Sequence, residues 1–142
     1  MKTFLAQPAQ QTQKWFLLDA ATAPLGKTAV AAARHLVGKH RADYNPAQDL
    51  GDSVIVINAQ QTQLSGKKLT QKKYRSHSGY RGHLHEETAE KLLARKPDQV
   101  IRLAVAGMLP RNKLRKTRLT RLKIFAGAEH PHTAQQPAVI KL

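Results

Sequence analysis

Residues 49–58, with the sequence DLGDSVIVIN, decide the fold of this chain. Residues 49–53 predict a loop, because Asp, Gly and Ser close together favour turns. The next four residues, 54–57, are all β-branched and apolar, without the alternation that a half-exposed strand shows. Such a run is typical of a strand that is covered on both faces. The segment therefore predicts a central strand of a parallel sheet.

The residues before this strand predict another strand followed by a helix. Residues 15–18, WFLL, form a short apolar run of strand length. Further on, apolar residues recur at helical spacing as Leu25, Ala29, Ala33, Leu36 and Val37. Gly38 follows where a glycine that ends a helix belongs. Strand, helix and strand at this spacing predict a βαβ unit, and hence an α/β fold with helices on both faces of a parallel sheet.

The remaining sequence predicts further elements of a single domain. Residues 66–68 predict a turn, residues 72–77 a strand, residues 86–96 and 98–108 two helices, and residues 122–125 a last strand. We expect one α/β domain over residues 15–128, which includes a basic segment at residues 107–125. We expect residues 1–14 to form an N-terminal arm and residues 129–142 an extended C-terminal tail, and we expect both to order only against a partner.

The charge of the chain predicts a polyanionic partner. Twenty-four Lys and Arg against nine Asp and Glu give a net charge of +15. Compact folding with so much like charge costs self-repulsion, which a polyanion relieves. No acidic residue lies between Asp52 and Glu86 or between Asp98 and Glu129, although both intervals are rich in cations. This distribution favours one charged face over a uniform basic coat.

Composition narrows the class of partner. A membrane surface, the second candidate after nucleic acid, is bound by cationic helices with bulky aromatic residues. One Trp, three Phe and three Tyr supply few of these. The chain has no cysteine, which excludes disulfides and thiolate metal sites. We also find no signal peptide or transmembrane run, and expect an intracellular, soluble protein.

Residues 21–28, ATAPLGKT, raise the alternative of a small phosphate-loop enzyme, because they end in Gly-Lys-Thr. However, Ala21 stands where the first glycine of such a loop should be. Pro24 removes a backbone N–H from a loop whose chemistry depends on N–H donors. The strand at residues 54–57 ends in Asn58, and not in an acidic residue that would hold magnesium. A plain turn with a basic residue is the better interpretation.

Asp49 and Asp52, with His77, His83 and His85, raise the alternative of a metal-dependent nuclease. The two aspartates flank a glycine in a loop, where aspartate commonly caps its own turn. The histidines have no further ligand at a recognisable spacing. We therefore predict no metal, no cofactor and no catalytic residue.

Short motifs run through the chain from about residue 15 to residue 137. They are Asp19-Ala20, Leu25-Gly26, Gly38-Lys39-His40, and residues 51–59, 65–68, 77–80, 107–114, 127–132 and 134–137. Each is weak alone, but in this order they resemble the universal large-subunit ribosomal protein thirteen family in its bacterial form. The chain departs from the family at Arg115-Lys116, where the family usually has Gly-Arg, and at Lys27, where it usually has Arg.

The resemblance implies a three-layer α/β/α domain around a four-stranded, largely parallel sheet, with extended N- and C-terminal arms. It implies a structural constituent of the large ribosomal subunit that binds and stabilises large-subunit ribosomal RNA early in assembly, and is not an enzyme. The implied partners are this RNA and neighbouring large-subunit proteins, with no membrane and no small-molecule substrate, in the cytoplasmic ribosome. A non-ribosomal RNA or DNA chaperone remains an alternative.

We predict that cations of this chain contact phosphates, and that its tyrosines and histidines stack on or hydrogen-bond to irregular RNA. The predicted RNA-binding residues are Lys39, His40, Lys67, Lys68, Lys72, Lys73, Tyr74, Arg75, His77, Tyr80, Arg81, Arg111, Lys113, Arg115, Lys116, Arg118, Arg121, Lys123, His130 and His132.

Overall fold

The computed structural model describes residues 12–142. Its strands in chain order are β1 (Trp15–Asp19), β2 (Ser53–Ile57), β3 (Lys73–His77), β4 (Leu84–Thr88), β5 (Leu122–Ile124) and β6 (Ala138–Val139). Its helices are α1 (Leu25–Val37), α2 (Lys68–Gln71), α3 (Ala89–Arg95), α4 (Pro97–Met108) and α5 (Leu114–Thr120), and a single 3₁₀ turn covers Ala59–Gln61.

A parallel sheet of four strands, in the order β5-β2-β1-β6, forms the centre of the domain. Leu17 of β1 lies opposite Ile55 of β2, and Val54 of β2 lies opposite Leu122 of β5. Helices α1 and α4 pack on each other and on this sheet through one continuous apolar core. The predicted α/β fold with a four-stranded parallel sheet is confirmed, and the helices around it are consistent with three layers.

The predicted βαβ unit is also confirmed. Val54, Ile55 and Val56 of β2 are fully buried, as the unbroken apolar run indicated. Helix α1 ends where Gly38 takes a φ of 85°, and the Gly38 N–H donates to the carbonyls of Arg34 and His35. A left-handed glycine of this kind satisfies carbonyls that the end of a helix leaves without partners.

Gly51 holds the loop before β2 against the end of α1. A Cβ atom at this position would lie 1.8 Å from the Leu36 carbonyl oxygen, so no side chain fits. The N–H of the next residue, Asp52, donates to the His35 carbonyl at 3.1 Å. This close approach carries the Asp52 carboxylate into the interior, where its side chain is fully buried.

Residues 73–88 form an antiparallel hairpin of β3 and β4, which corrects one prediction. The strand expected at residues 72–77 is present as β3. The helix expected from residue 86 begins only at Ala89, because Glu86 and Glu87 belong to β4. Arg75 lies opposite Glu86, so a cross-strand pair of opposite charges outweighs the helix propensity of glutamate.

The basic segment before β5 contains a helix, α5, that we did not predict. Arg115 and Lys116 lie within it, at the position where the family usually has glycine next to arginine. Neither residue has a positive φ. A helical backbone therefore accommodates this departure without glycine.

The C-terminal tail contributes to the sheet, which we did not expect. Strand β6 pairs in parallel with β1, and the Ile140 N–H donates to the Leu17 carbonyl at 2.9 Å. Residues 138–140 are thus ordered against their own chain, and not only against a partner. Most of the predicted N-terminal arm, residues 1–11, lies outside the described residues.

Candidate nucleic-acid interface

The structure divides the predicted RNA-binding residues by their exposure. The exposed ones are Lys39, Lys67, Lys68, Lys72, Lys73, Arg75, His77, Tyr80, Arg81, Arg111, Lys113, Lys116 and Lys123. The half-buried ones are His40, Tyr74, Arg115, Arg121, His130 and His132, and Arg118 is buried. The exposed residues concentrate in two stretches, one around the β3-β4 hairpin and one around α5.

The first stretch, which we call the basic hairpin, comprises residues 67–85. All its residues except Tyr74 are exposed, and none is acidic. Tyr74 packs against the core, and the Lys72 ammonium lies 5.3 Å from the centroid of its ring. Burial raises the pKa of the Tyr74 phenol above its usual value. Tyr74 is therefore an anchor of the basic hairpin, which leaves its ring poorly placed to stack on a base.

Two cations at the base of the basic hairpin are already paired. Lys73 Nζ donates to Oε2 of Glu86 at 3.0 Å, and Arg75 Nε donates to Oε1 at 2.7 Å. These hydrogen bonds, from Lys73 first and then Arg75, hold the pKa of the Glu86 carboxyl below its usual value. The pairs are exposed, so solvent weakens them and a phosphate can compete for the same cations.

The tip of the basic hairpin presents an aromatic ring to solvent. Tyr80 is 73% exposed, and its ring centroid lies 5.9 Å from that of His83. Arg81, next to it, is also exposed. His77 Nδ1 accepts a hydrogen bond from the Gly79 N–H at 3.0 Å, which shapes the loop. An exposed ring beside cations suits an unpaired base flanked by phosphates.

The second stretch, around α5, has an outer and an inner side. Lys113, Lys116 and Lys123 are exposed, whereas Arg118 is 1% exposed. Arg118 Nε lies 3.4 Å from Oδ1 of Asp49 and its Nη2 lies 3.3 Å from the Gln48 carbonyl oxygen, to which it donates. The prediction that Arg118 contacts RNA is therefore wrong, because its guanidinium is enclosed by the protein.

Arg121 and Arg115 are also largely committed to the protein. Arg121 donates to the Gly51 carbonyl at 2.6 Å and to Oδ1 of Asp49. Arg115 donates to the Ala106 carbonyl at 2.6 Å. Both tie the α5 region to neighbouring elements, so the cations with exposed charge here are lysines and Arg111.

His40 belongs to a second ion-pair cluster, which is centred on the buried Asp52 carboxylate. Its Nε2 lies 2.8 Å from Oδ2 of Asp52, and Arg41 Nη1 donates to Oδ1 of the same carboxylate at 3.1 Å. The His40 ring also lies 4.3 Å from that of His35. Burial first, and then the positive field of His40, lowers the pKa of His35 to about 4. We conclude that His40 shapes the protein, whereas its neighbour Lys39 is exposed.

The two tail histidines contact aromatic residues of their own chain. The His132 ring lies 5.1 Å from Trp15 and 5.8 Å from Phe125, and the His130 ring lies 6.3 Å from Phe125. These contacts hold residues 130–132 against Trp15 of β1 and against Phe125, which follows β5. They also occupy part of the ring surface that we expected to face RNA.

The phosphate-loop alternative fails on the contacts of residues 21–28. The Leu25 N–H donates to the Gln63 carbonyl at 3.0 Å, and the Lys27 and Thr28 N–H groups donate to the Pro24 carbonyl. The Thr28 side chain is fully buried. Amides that are bonded within the protein cannot cradle a phosphate.

The metal-site alternative fails on the two aspartates, since Asp49 and Asp52 are each paired with arginine. Over residues 12–142, no group of three or more His, Asp or Glu side chains is placed to hold a metal ion. The same residues contain no helix long and apolar enough to cross a membrane.

The ion-pair clusters that contain Asp49, Asp52 and Arg41 were not predicted from the sequence. The partners are far apart in sequence, since 69 positions separate Asp49 from Arg118. The sequence contained only an indirect sign of these clusters, namely an aspartate near each side of Gly51. Such a pair is compatible with a buried turn as well as with an exposed one.

The fold and the exposed charge together define a basic α/β protein with the surface of a polyanion-binding domain. The model of the family described as ribosomal protein L13 matches residues 13–131. The chain belongs to this family.

Full-length relatives agree with this assignment. The chain is 48% identical over 142 residues to the large ribosomal subunit protein uL13 of Nitratidesulfovibrio vulgaris, and the match covers 100% of this chain and 99% of the relative. It is 49% identical to the protein of the same name from Ectopseudomonas mendocina, with 100% of both chains covered. For that of Clostridioides difficile the identity is 50% over 140 residues, with 99% and 98% covered.

Proposed function

We propose that this protein is a structural constituent of the large ribosomal subunit that binds large-subunit ribosomal RNA, in the cytoplasmic ribosome. The observation that carries the proposal is the basic hairpin. Residues 67–85 are exposed except for one anchoring tyrosine, and contain no acidic side chain. Membership of the ribosomal protein L13 family supplies the identity of the polyanion.

The basic hairpin is a structure that a partner would stabilise. A two-stranded hairpin is marginally stable in water unless it packs on something else. Here Tyr74 of β3 packs against the core, and Glu87 of β4 pairs with Arg95 of α3 at 2.6 Å. The Ala89 N–H, at the start of α3, donates to the carbonyl of Lys72, just before β3, at 2.8 Å. The rest of the hairpin extends from the domain with its cations in solvent, and phosphate groups would hold it.

The exposure of each side chain determines its role in the proposed function. Exposed Lys67, Arg81 and Lys116 contact phosphates, and Tyr80 stacks on an unpaired base. The α/β sheet acts as the platform, and the buried ion pairs fix the position of α5 relative to it. RNA shape decides specificity more than base edges do, because an A-form helix hides its major-groove edges. The role is structural, and the protein is not an enzyme.

Charge reversal in the basic hairpin tests the proposal. The full chain with Lys67→Glu and Arg81→Glu should bind a large-subunit ribosomal RNA transcript about tenfold more weakly or worse, because each change removes a cation that pairs with a phosphate. The slope of log affinity against log salt should become shallower by about 1 for each phosphate that the variant no longer neutralises. Lys91→Glu with Arg102→Glu is the matched control, because it reverses the same number of charges at exposed residues of α3 and α4, outside both basic stretches. Equal weakening in the variant and the control would mean that only net charge matters.

Two further measurements separate the proposal from its rivals. The full chain should remain with the large subunit when ribosomes sediment through a high-salt wash, and the hairpin variant should be depleted there. A chaperone without ribosomal specificity would bind duplex DNA as tightly as the RNA transcript. Equal affinity for both nucleic acids would favour that chaperone over a ribosomal constituent.

A further inference from the structure

An open groove of about 960 Å³ lies between α1, α4, the start of α2 and the C-terminal residues, away from the tip of the basic hairpin. Its floor is apolar and exposed: Val30 is 57% exposed, Leu103 43%, Met108 42% and Leu142 42%. These are four of the eight large apolar side chains that are exposed in the described part of the chain. Exposed apolar side chains that cluster in this way mark a binding surface.

The rim of the groove is positively charged. Its cations are Lys27, Arg34 and Lys141, together with Lys68 and Lys72 from the start of the basic hairpin, and no aspartate or glutamate side chain of residues 12–142 lines it. Within that same described range, none of these five cations takes part in a salt bridge. Glu86 and Glu87 line the adjoining cleft instead, where Lys73, Arg75 and Arg95 neutralise them.

The floor of the groove distinguishes a protein partner from RNA. RNA that is held in a protein cleft stacks its bases on aromatic rings or guanidinium planes. Among the described residues no Phe, Tyr or Trp lines this groove. The His35 ring that lines it packs against Phe16 and His40, and the Arg34 guanidinium belongs to the rim, so the floor offers aliphatic side chains and a methionine. Aliphatic floors between two helices receive the apolar side chains of an amphipathic helix, and methionine adapts to their shape.

We propose that this groove binds an amphipathic helix of another protein, with an apolar face on α1 and α4 and acidic residues toward the basic rim. A smaller hollow of about 480 Å³ shares Val30, Arg34 and Met108 with the groove, and extends the apolar track along α1. Residues 1–11 of this chain are a poor match for the rim, since they contain Lys2 and no acidic residue. We therefore assign the groove to an acidic segment of a different chain. This assignment rests on the proposed function in one respect, since it places that chain beside this protein in the large subunit.

The experiment places a photo-reactive benzoylphenylalanine at Val30 of the full chain, within purified large subunits after a high-salt wash. Irradiation should join it to a peptide of another protein in which apolar residues at helical spacing are flanked by Asp or Glu. Crosslinks into ribosomal RNA, into residues 1–11 of this chain, or into a peptide without acidic residues would each overturn the proposal. So would an absence of crosslinks above the unirradiated sample.

The same reactive group at Leu84, which is 55% exposed on β4, is the matched control. It should crosslink to ribosomal RNA, so that failure of the proposed RNA-binding surface is seen separately from failure of the groove. Lys27→Glu with Arg34→Glu should then reduce the Val30 crosslink at least fivefold and leave the Leu84 crosslink unchanged. An undiminished Val30 crosslink in that variant would show that the basic rim does not select the partner.

Discussion

The cations of this protein fall into two regions with opposite surroundings. Around Asp49 and Asp52, the guanidinium groups of Arg41, Arg118 and Arg121 point into the protein and pair with carboxylates. In the basic hairpin, residues 67–85, the side chains point into solvent and only the base of the hairpin contains ion pairs. Both regions are rich in Lys and Arg in the sequence, yet one holds the fold together and the other faces a partner.

The difference shows what a basic run does and does not indicate. Arginine predominates inside, because its planar fork can satisfy a carboxylate and backbone carbonyls together. Lysine predominates outside, where its flexible chain keeps the ammonium in water. Within α5, the buried Arg118 and the exposed Lys116 lie only two residues apart and therefore on different sides of the helix.

The largest expected effect comes from Arg118→Ala. This change removes a buried guanidinium and leaves Asp49 with one partner fewer, which should lower the free energy of unfolding by about 3 kcal/mol or more. Urea denaturation of the full chain measures it as a fall in the midpoint at a constant slope.

Lys116→Ala is the control for this change, because it lies on the same helix with its side chain in solvent. It should change stability by less than about 0.5 kcal/mol while weakening the binding of ribosomal RNA. Equal stability of the two variants would remove the distinction between inner and outer cations.

The second effect concerns Tyr80 at the tip of the basic hairpin. Tyr80→Ala should weaken RNA binding by about 1–3 kcal/mol, the usual contribution of a base stacked on an aromatic ring, without lowering the urea midpoint. Tyr80→Phe keeps the ring and should bind like the original chain. If the two variants bind equally weakly, the hydroxyl group and not stacking carries the contact.

The elements that could be predicted from the sequence are those whose local pattern agrees with their burial. In β2 the unbroken apolar run indicates burial on both faces. In α1 the apolar spacing defines the buried face, and Gly38 marks the end of the helix. In α4 the apolar residues Val100, Ile101, Ala104, Val105 and Met108 recur at helical spacing, and all of them except the exposed Met108 are buried or half-buried. Such agreement between propensity and packing is what makes a segment predictable.

The elements that could not be predicted depend on partners distant in sequence. Glu86 lies in a strand because Arg75 and Lys73 face it across the hairpin. Strand β6 has only two residues, and only its pairing with β1 makes it a strand. For the candidate interface, charge predicted the exposed lysines, whereas the inward direction of Arg118 depends on Asp49.

A third, smaller effect is a pH dependence of stability that arises from His35. Its pKa falls from 6.5 to about 4 in the folded protein, so the unfolded chain binds the proton more readily. The stability that the neutral His35 ring contributes is therefore fully present above pH 6.5, and it is lost as the pH falls from 6.5 toward 4. Because the ring is partly exposed, the decrease should be on the order of 1 kcal/mol.

Urea midpoints at several pH values between these limits measure the effect. His35→Gln should flatten the dependence in this window. His83→Gln is the matched control, because His83 is exposed in the hairpin loop and its replacement should leave the dependence unchanged. A slope that survives His35→Gln would assign the proton to another group.

The smallest expected effect concerns Glu86, which pairs with two cations of the basic hairpin much as Asp49 and Asp52 pair with the inner arginines. Glu86→Gln removes the charge that Lys73 and Arg75 share at the base of the hairpin. Stability should hardly change, because exposed ion pairs contribute little. RNA binding should instead become slightly tighter, with a salt slope steeper by about 0.9 if one released cation takes a phosphate. If RNA affinity falls instead, the pairs with Glu86 position the hairpin for RNA, and these two cations belong functionally with the inner group.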